Sequence, residues 1–257
     1  MKTIIAEIMR KFDIEYYASV PFGECKIINE QKLERCFNKT IPETAVVMLA
    51  PYYSGAHDGR NISLYAVPRD YHLFFRDLFG FAEAELQKAY PGNIFKGYAD
   101  SSPIGEADAA LKAGLGVLGN NRLLINEKYG SYVFIGEIIT DMKFTGEETT
   151  ANKIKPCLRC GKCAASCPSK KNCLSAVTQK KGALTREEEN LIKNNGTAWG
   201  CDICQTVCPL NTSAAETPIE FFRRDLTDRA EIGDNITDRA YAWRGRKCIE
   251  RNLKLLQ

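Results

Sequence analysis

The sequence predicts a mixed α/β (α+β) domain followed by a small cysteine-rich one, and three observations predict it. Over residues 1–150 short apolar runs at strand spacing alternate with runs at helical spacing. Eight of the eleven cysteines fall between positions 157 and 208, with Cys25 and Cys36 early and Cys248 late. The charge changes sign at the same boundary: residues 1–150 hold 16 Lys and Arg against 20 Asp and Glu, net −4, whereas 151–257 hold 19 against 12, net +7.

At 257 residues the chain can bury a substantial core without a metal to hold it together. Its 44% hydrophobic and 26% charged content is that of a globular protein. No apolar run approaches the ~20 residues that cross a bilayer. The opening MKTIIAEIMRKFDIEYY is too interrupted by charge for a signal peptide. A cytoplasmic protein with no membrane contact is therefore expected. In that reducing compartment, cysteines at regular spacing point to metal rather than to disulfides.

The elements follow in order. TAVVMLAP (44–51) reads as a short buried strand ended by proline, and SGAHDGRN (54–61) as a loop. RDYHLFFRDLFGFAEAELQKAY (69–90) carries apolar residues at helical spacing until Pro91-Gly92 stops it. YADSSPIGEADAALKAGLG (98–116) reads as a strand end, a turn, a helix with Pro103 in its first turn, and a closing glycine. RLLINEKYGSYVFIGEIIT (122–140) reads as two strands around a turn at Glu127–Gly130, and TGEETTANKIK (145–155) as a polar linker.

Two motifs are decoys. GLGVLG (114–119) satisfies G-x-G-x-x-G, but a helix precedes it and a strand follows, the reverse of the order that brings a dinucleotide phosphate to a helix N-terminus. It is expected to be a tight helix-to-strand connection near a site. DYH (70–72) begins like the D-x-H-x-x-G signature in which histidine ligates cobalt, yet position 75 is Phe, so His72 reads as a structural residue on an amphipathic helix.

The cysteine spacing is the strong signal. Cys157, Cys160, Cys163 and Cys167-Pro168 complete a C-x-x-C-x-x-C-x-x-x-C-P run, in which three sulfurs hold one [4Fe–4S] cube and the fourth reaches another. The second run, AWGCDICQTVCPLN (198–211), has alanine where its first cysteine should stand. By the crossing rule Cys208 completes the cube of Cys157, Cys160 and Cys163, which leaves Cys167, Cys201 and Cys204 one sulfur short. Cys173 is the unassigned cysteine of the region and takes the place that Ala198 lacks. Zinc shares the C-x-x-C spacing, but the triple C-x-x-C-x-x-C and the Cys-Pro endings favour two iron–sulfur clusters. Such a pair forms a wire for single electrons.

With that cysteine order in place, the chain resembles the epoxyqueuosine reductase family, which is also similar to the reductive dehalogenase core. The resemblance rests on SLYAVPRDYH, YADSSPIGEADAALKAGLGVLGNNRLLI, GSYVFIGEIITD, CLRCGKCAASCP, CLSAVTQKKG and GCDICQTVCPLN, which run in family order over about residues 45–210. It implies a corrinoid-binding α/β domain at 1–150, a double-cluster ferredoxin-like domain at 151–215 and a C-terminal helical segment at 216–257, in a short form that lacks the family's helical repeat. Cobalamin is implied as cofactor beside two [4Fe–4S] clusters, Asp100 as the proton donor, and Ser63, Asn121, Leu124 and Ile135 as corrin contacts. The implied reaction is reduction of epoxyqueuosine to queuosine in tRNA, with electrons from an external low-potential donor.

The physical reading is compatible, since removal of an epoxide oxygen takes two electrons and two protons and needs an acid beside the leaving oxygen. The chain departs from the family at Ala107, where a basic residue is usual, at Asn120, where lysine is usual, and in a short Cys167–Cys173 loop. Two rival readings stay open at this stage. One is an electron carrier or corrinoid-reactivating protein without substrate chemistry. The other is an RNA-binding module with structural clusters, suggested by the basic second half.

Overall fold

The computed structural model describes residues 1–144 and 155–257; apart from Lys155, the expected linker lies outside the described residues. The chain begins with helix α1 (Lys2–Lys11), strand β1 (Tyr16–Pro21), helix α2 (Glu30–Phe37) and strand β2 (Thr44–Pro51). Helix α3 (Tyr71–Ala89), strand β3 (Phe95–Tyr98), helix α4 (Glu106–Lys112), short strands β4 (Val117–Leu118) and β5 (Leu124–Ile125), and strand β6 (Val133–Thr140) follow. Strands and helices alternate as the sequence predicts. The main sheet, in the order β1-β2-β6-β3, is nevertheless antiparallel at each pairing, which makes the architecture α+β.

Strand β2 shows why its run is apolar at each position. Val46, Met48 and Ala50 enter the core shared with α1 and α3, while Ala45, Val47 and Leu49 enter the core under α4. Helices cover both faces, so no residue of this strand can be polar on a solvent side.

Helix α3 starts where the Asp70 carboxylate accepts the His72 N–H, and it buries Phe74, Phe75, Leu78, Phe79, Ala82 and Leu86. It sits close on the sheet because Gly136 and Gly97 have no Cβ. A Cβ on Gly136 would stand 2.3 Å from the Phe75 ring, and one on Gly97 2.2 Å from Phe79. Gly136→Ala is thus expected to force Phe75 out of its packing, destabilising the fold by about 1–3 kcal/mol. A thermal midpoint equal to that of the parent would refute this close approach.

The two strands expected within 122–140 are β5 and β6, and Asn126 bridges to Gly130 across the turn between them. They take different partners: β5 pairs with β4 in a separate ribbon, and β6 joins the main sheet between β2 and β3. Alternation marks strands but not partners, and here the partner of β6 lies far away in sequence. Pro103 precedes the helix rather than entering it, because Gly105 is the N-cap, and the Pro103 carbonyl accepts the Ile28 and Asn29 N–H groups.

The cysteine-rich part carries four short helices, α5 (Lys162–Ala165), α6 (Leu174–Thr178), α7 (Arg186–Asn195) and α8 (Ile203–Thr206), and helix α9 (Arg246–Leu255) closes the chain. Thr185 and Glu188 form a reciprocal capping box that starts α7. The Asn252 amide of α9 donates to the carbonyls of Thr178 and Ala198. The main core is continuous across these parts, for Ala198, Trp199, Phe222, Tyr241, Cys248 and Leu253 pack in the same cluster as α1, α3 and β2.

Candidate functional site

Cys157, Cys160, Cys163 and Cys208, far apart in sequence at their extremes, line one apolar cavity. Its other wall is the turn after β4: Gly119, Asn120 and Asn121, with Ile125 beside them. The remaining four cysteines gather next to it. Cys204 lies within electrostatic reach of Cys173, Cys163 and Cys167, and Cys201 of Cys204 and Cys173. Among the described residues no three His, Cys, Asp or Glu side chains converge on a point that one ion could occupy; the cysteines ring a space instead.

Burial pushes the Cys201 thiol up to about 11 and raises Cys204 as well. A thiolate at these places therefore needs a metal to replace the proton, which is the donor chemistry of an iron–sulfur site.

Position 198 explains its own alanine. Ala198 is fully enclosed in the main core, its N–H donates to Asn61 and its carbonyl accepts from Asn252. Cys173 instead stands exposed at the N-cap of α6, free to turn toward Cys201 and Cys204.

The first part of the chain is stitched to the cysteines by polar side chains. Asn120 reaches toward the Cys163 sulfur at 4.0 Å, and the Asn121 amide donates to the Cys204 carbonyl at 3.3 Å. Asp202, between Cys201 and Cys204, is buried and accepts from the Ser63 hydroxyl and the Leu64 N–H, with Arg60 at 3.3 Å. Burial raises its pKa against the pull of these three donors. A cavity of ≈ 260 Å³ lies where Ser63, Arg60 and Asp58 face Cys201 and Leu174.

Asp100 follows β3 with φ +60, a left-handed conformation that costs a non-glycine residue roughly 1–2 kcal/mol. Its carboxylate, 56% exposed, accepts a hydrogen bond from the Tyr71 hydroxyl and has His72 Nε2 at 3.8 Å. Burial, together with the Asp100 charge, pushes the Tyr71 hydroxyl far above the ordinary phenol range, so it stays protonated and donates to Asp100. The His72 imidazole is raised by its hydrogen bond to Asp70, 2.8 Å away, against the effect of partial burial. Tyr71 is fixed in turn by stacking on Phe134 of β6, ring centres 4.1 Å apart. The sequence reading thus missed two partners of Asp100. The signal lies in the DYH tripeptide, whose place at the start of α3 aims Tyr71 and His72 at the β3 end.

The expected corrin contacts are not alike in placement. Ser63 and Leu124 are buried, Ser63 on Asp202, and Asn121 has both ends of its amide engaged by Cys204 and Leu123. Ile135 is half-buried, on a stretch of β6 that short β3 does not reach, since β3 matches β6 only over Glu137–Thr140; there Phe134 turns to the core of α1 and α3, and Val133 and Ile135 turn to the opposite face, under α4. Phe134 is the residue of this stretch that meets Tyr71, and through it Asp100.

No family model matches the chain. It is 32% identical over 205 residues to an epoxyqueuosine reductase of Listeria monocytogenes, covering 71% of this chain and 53% of that protein. With the corresponding protein of Pseudomonas aeruginosa it shares 35% over 185 residues, 67% of this chain and 50% of that one. The chain spans about half the length of the curated relatives it matches. Among solved structures, epoxyqueuosine reductase of Streptococcus thermophilus superimposes with a TM-score of 0.80 at 22% identity, over 100% of this chain and 80% of that one. An epoxyqueuosine reductase solved with a tyrosine tRNA stem loop carrying epoxyqueuosine gives 0.78 at 22%, over 99% and 80%. A catabolic reductive dehalogenase gives 0.50 at 16%, over 98% and 35%.

Proposed function

The chain belongs to the epoxyqueuosine reductase family, and on that premise we propose that it is a cytoplasmic oxidoreductase that reduces epoxyqueuosine to queuosine in tRNA, using two [4Fe–4S] clusters and cobalamin. The observation that carries this reading is the cavity ringed by Cys157, Cys160, Cys163 and Cys208, because the turn that closes it belongs to the domain bearing Asp100. An electron source and a proton donor then serve one site. Cys167, Cys173, Cys201 and Cys204 would hold the second cluster. When bound, the clusters deliver electrons singly and the corrin cobalt supplies a centre reducing enough to open a carbon–oxygen bond.

The chain's own residues do the rest. Ile135, on the part of β6 that β3 does not reach, would contact the macrocycle, with Asn121, Leu124 and Ser63 as the further contacts. Asp100 protonates the departing oxygen; the Tyr71 hydroxyl and the His72 imidazole fix its carboxyl in direction. An exposed carboxylate holds almost no proton at pH 7, so the ligand that covers this edge is part of what makes it an acid.

The basic second half of the chain, net +7, matches a polyanionic substrate. A relative solved with a modified tRNA stem loop supports tRNA as that substrate. No described helix is long and apolar enough to cross a membrane.

The test is anaerobic reconstitution with iron, sulfide and cobalamin, followed by reaction with tRNA carrying epoxyqueuosine and a low-potential reductant. Stoichiometric cobalamin in the visible spectrum and loss of one oxygen atom from the nucleoside are expected. Clusters without bound cobalamin, or bound cobalamin without oxygen loss, would refute the reductase reading; the first of these results would favour an electron carrier.

A further inference from the structure

The reaction needs two protons, and two carboxyl groups lie buried behind Asp100. Glu137 sits in the middle of β6, fully enclosed, on the face covered by α4 and opposite Tyr98 of β3 and Val47 of β2. Among the described residues neither of its carboxyl oxygens makes a hydrogen bond of ordinary geometry, and the Ser102 hydroxyl is the polar group that approaches it. Glu106, at the start of α4, has one buried oxygen without a partner, and its carboxyl faces the backbone N–H groups of Asp100 and Ser102. It is coupled by charge to Asp100 on one side and to Glu137 on the other. The three acids thus run from the solvent edge into the core.

The groups around them do not neutralise them. From α2 the Lys32 amine, which lies in the field of Glu106, is bonded to the Ser101 carbonyl; on α4 Lys112 is paired with Asp108 at 2.9 Å. His72 of α3 feels Glu106 at a distance but is hydrogen-bonded to Asp70. Cys25, after β1, and Tyr98 are neutral neighbours of Glu137, Cys36 of α2 lies next to Tyr98, and the Ser102 hydroxyl is the polar group turned toward Glu137.

Burial, and then the like charge of its neighbour, raises Glu106 to about 7 and Glu137 to about 8. Both carboxyl groups therefore keep a proton to higher pH than an exposed carboxylate does. An amide or an apolar residue would fill such a place with less strain on the fold. The group that occupies it is one that can take up and release a proton.

Resting on the proposed reductase activity, we propose that Glu106 and Glu137 are positioning residues that form a proton store, returning to Asp100 the proton it gives to the epoxide oxygen. Both carbon–oxygen bonds of the epoxide break, a carbon–carbon double bond forms and the oxygen leaves as water. The two electrons come one at a time from the external donor through the clusters. Asp100 gives the first proton; Glu106 reprotonates Asp100 and is itself refilled by Glu137, so that Asp100 can give the second. Solvent reloads the chain through Asp100 after turnover.

The test uses the full chain with both clusters, compared with Glu137→Gln, a substitution of equal size, and with Glu106→Gln at the more accessible position should the first variant fail to fold. Infrared difference spectra without substrate or cobalamin should show a protonated-carboxyl band in the parent that disappears between about pH 7 and 9, and a component of that band should be missing from either variant. In single-turnover reduction the parent should lose rate over the same interval. Glu137→Gln should lose that dependence with unchanged iron content and react roughly tenfold more slowly, and Glu137→Asp should restore the pH dependence. A parent without the band, variants with an unaltered band, or an unaltered pH profile in a variant would overturn the proton store. An inactive parent that shows the band would overturn the reductase reading and leave the buried acids demonstrated.

Discussion

Cys173→Ala protein is expected to carry about half the iron and acid-labile sulfide of the parent, because on the proposed ligation each cube would take four of the eight thiolates. The cube of Cys167, Cys173, Cys201 and Cys204 would be left with three ligands. The other is expected to survive, since Cys157, Cys160, Cys163 and Cys208 line a cavity of their own, closed by Gly119–Asn121. No neighbouring residue can repair the loss. Ala198 occupies the position from which a regular motif would offer its thiol, but it faces the core and both its backbone groups are engaged. A cysteine placed there would point into packed side chains, so the double variant Cys173→Ala, Ala198→Cys should be no better than the single one. Iron and sulfide analysis of anaerobically prepared protein checks both expectations. Retention of the full iron content by Cys173→Ala would show that the second cube has a different fourth ligand.

The second large effect is expected at Asp100. Asp100→Asn should keep clusters and cobalamin and lower turnover by about 10²–10⁴-fold, the range that a positioned general acid contributes, or about 3–5 kcal/mol in the barrier. The geometry gives the variant little room to compensate. The Tyr71 hydroxyl points its proton at this side chain, and burial keeps it a donor at any working pH. An amide can accept that bond through its oxygen but has no acidic proton to give. Removing the negative charge should also let Glu106 ionise at lower pH, since Asp100 is the largest charge that holds Glu106 up. Single-turnover rates at matched cluster and cobalamin content measure the first effect, and the pH dependence of the carboxyl band measures the second. A rate within a factor of about three of the parent would remove Asp100 from the acid role.

Much of the local structure was legible. The apolar run of β2 and the period of α3 announce themselves, and Pro91-Gly92 marks where α3 must end. Spacing and Cys-Pro endings group Cys157, Cys160 and Cys163 with Cys208, and these four line one cavity. The pairing of the strands was not legible. An uninterrupted run such as TAVVMLAP states that both faces are covered, and a parallel and an antiparallel centre meet that condition equally well. Likewise β5 and β6 lie close in the chain, but their partners were chosen by the space beneath α4 and α3, which no local pattern records.

The sequence by itself determined that eight thiols stand at cluster spacing and that the second half of the chain is basic; Asp100 stands out only through the resemblance to a family. Spacing carries the first signal because a cluster needs sulfurs close enough to wrap it, wherever the fold places them. The tertiary structure decided what those groups can do. It aimed Tyr71 and His72 at Asp100, tied Ser63 to Asp202, and enclosed Glu137 away from water and from any cation among the described residues. The affinity of a carboxyl for its proton depends on water and neighbouring charge, and both are fixed only when distant segments pack together.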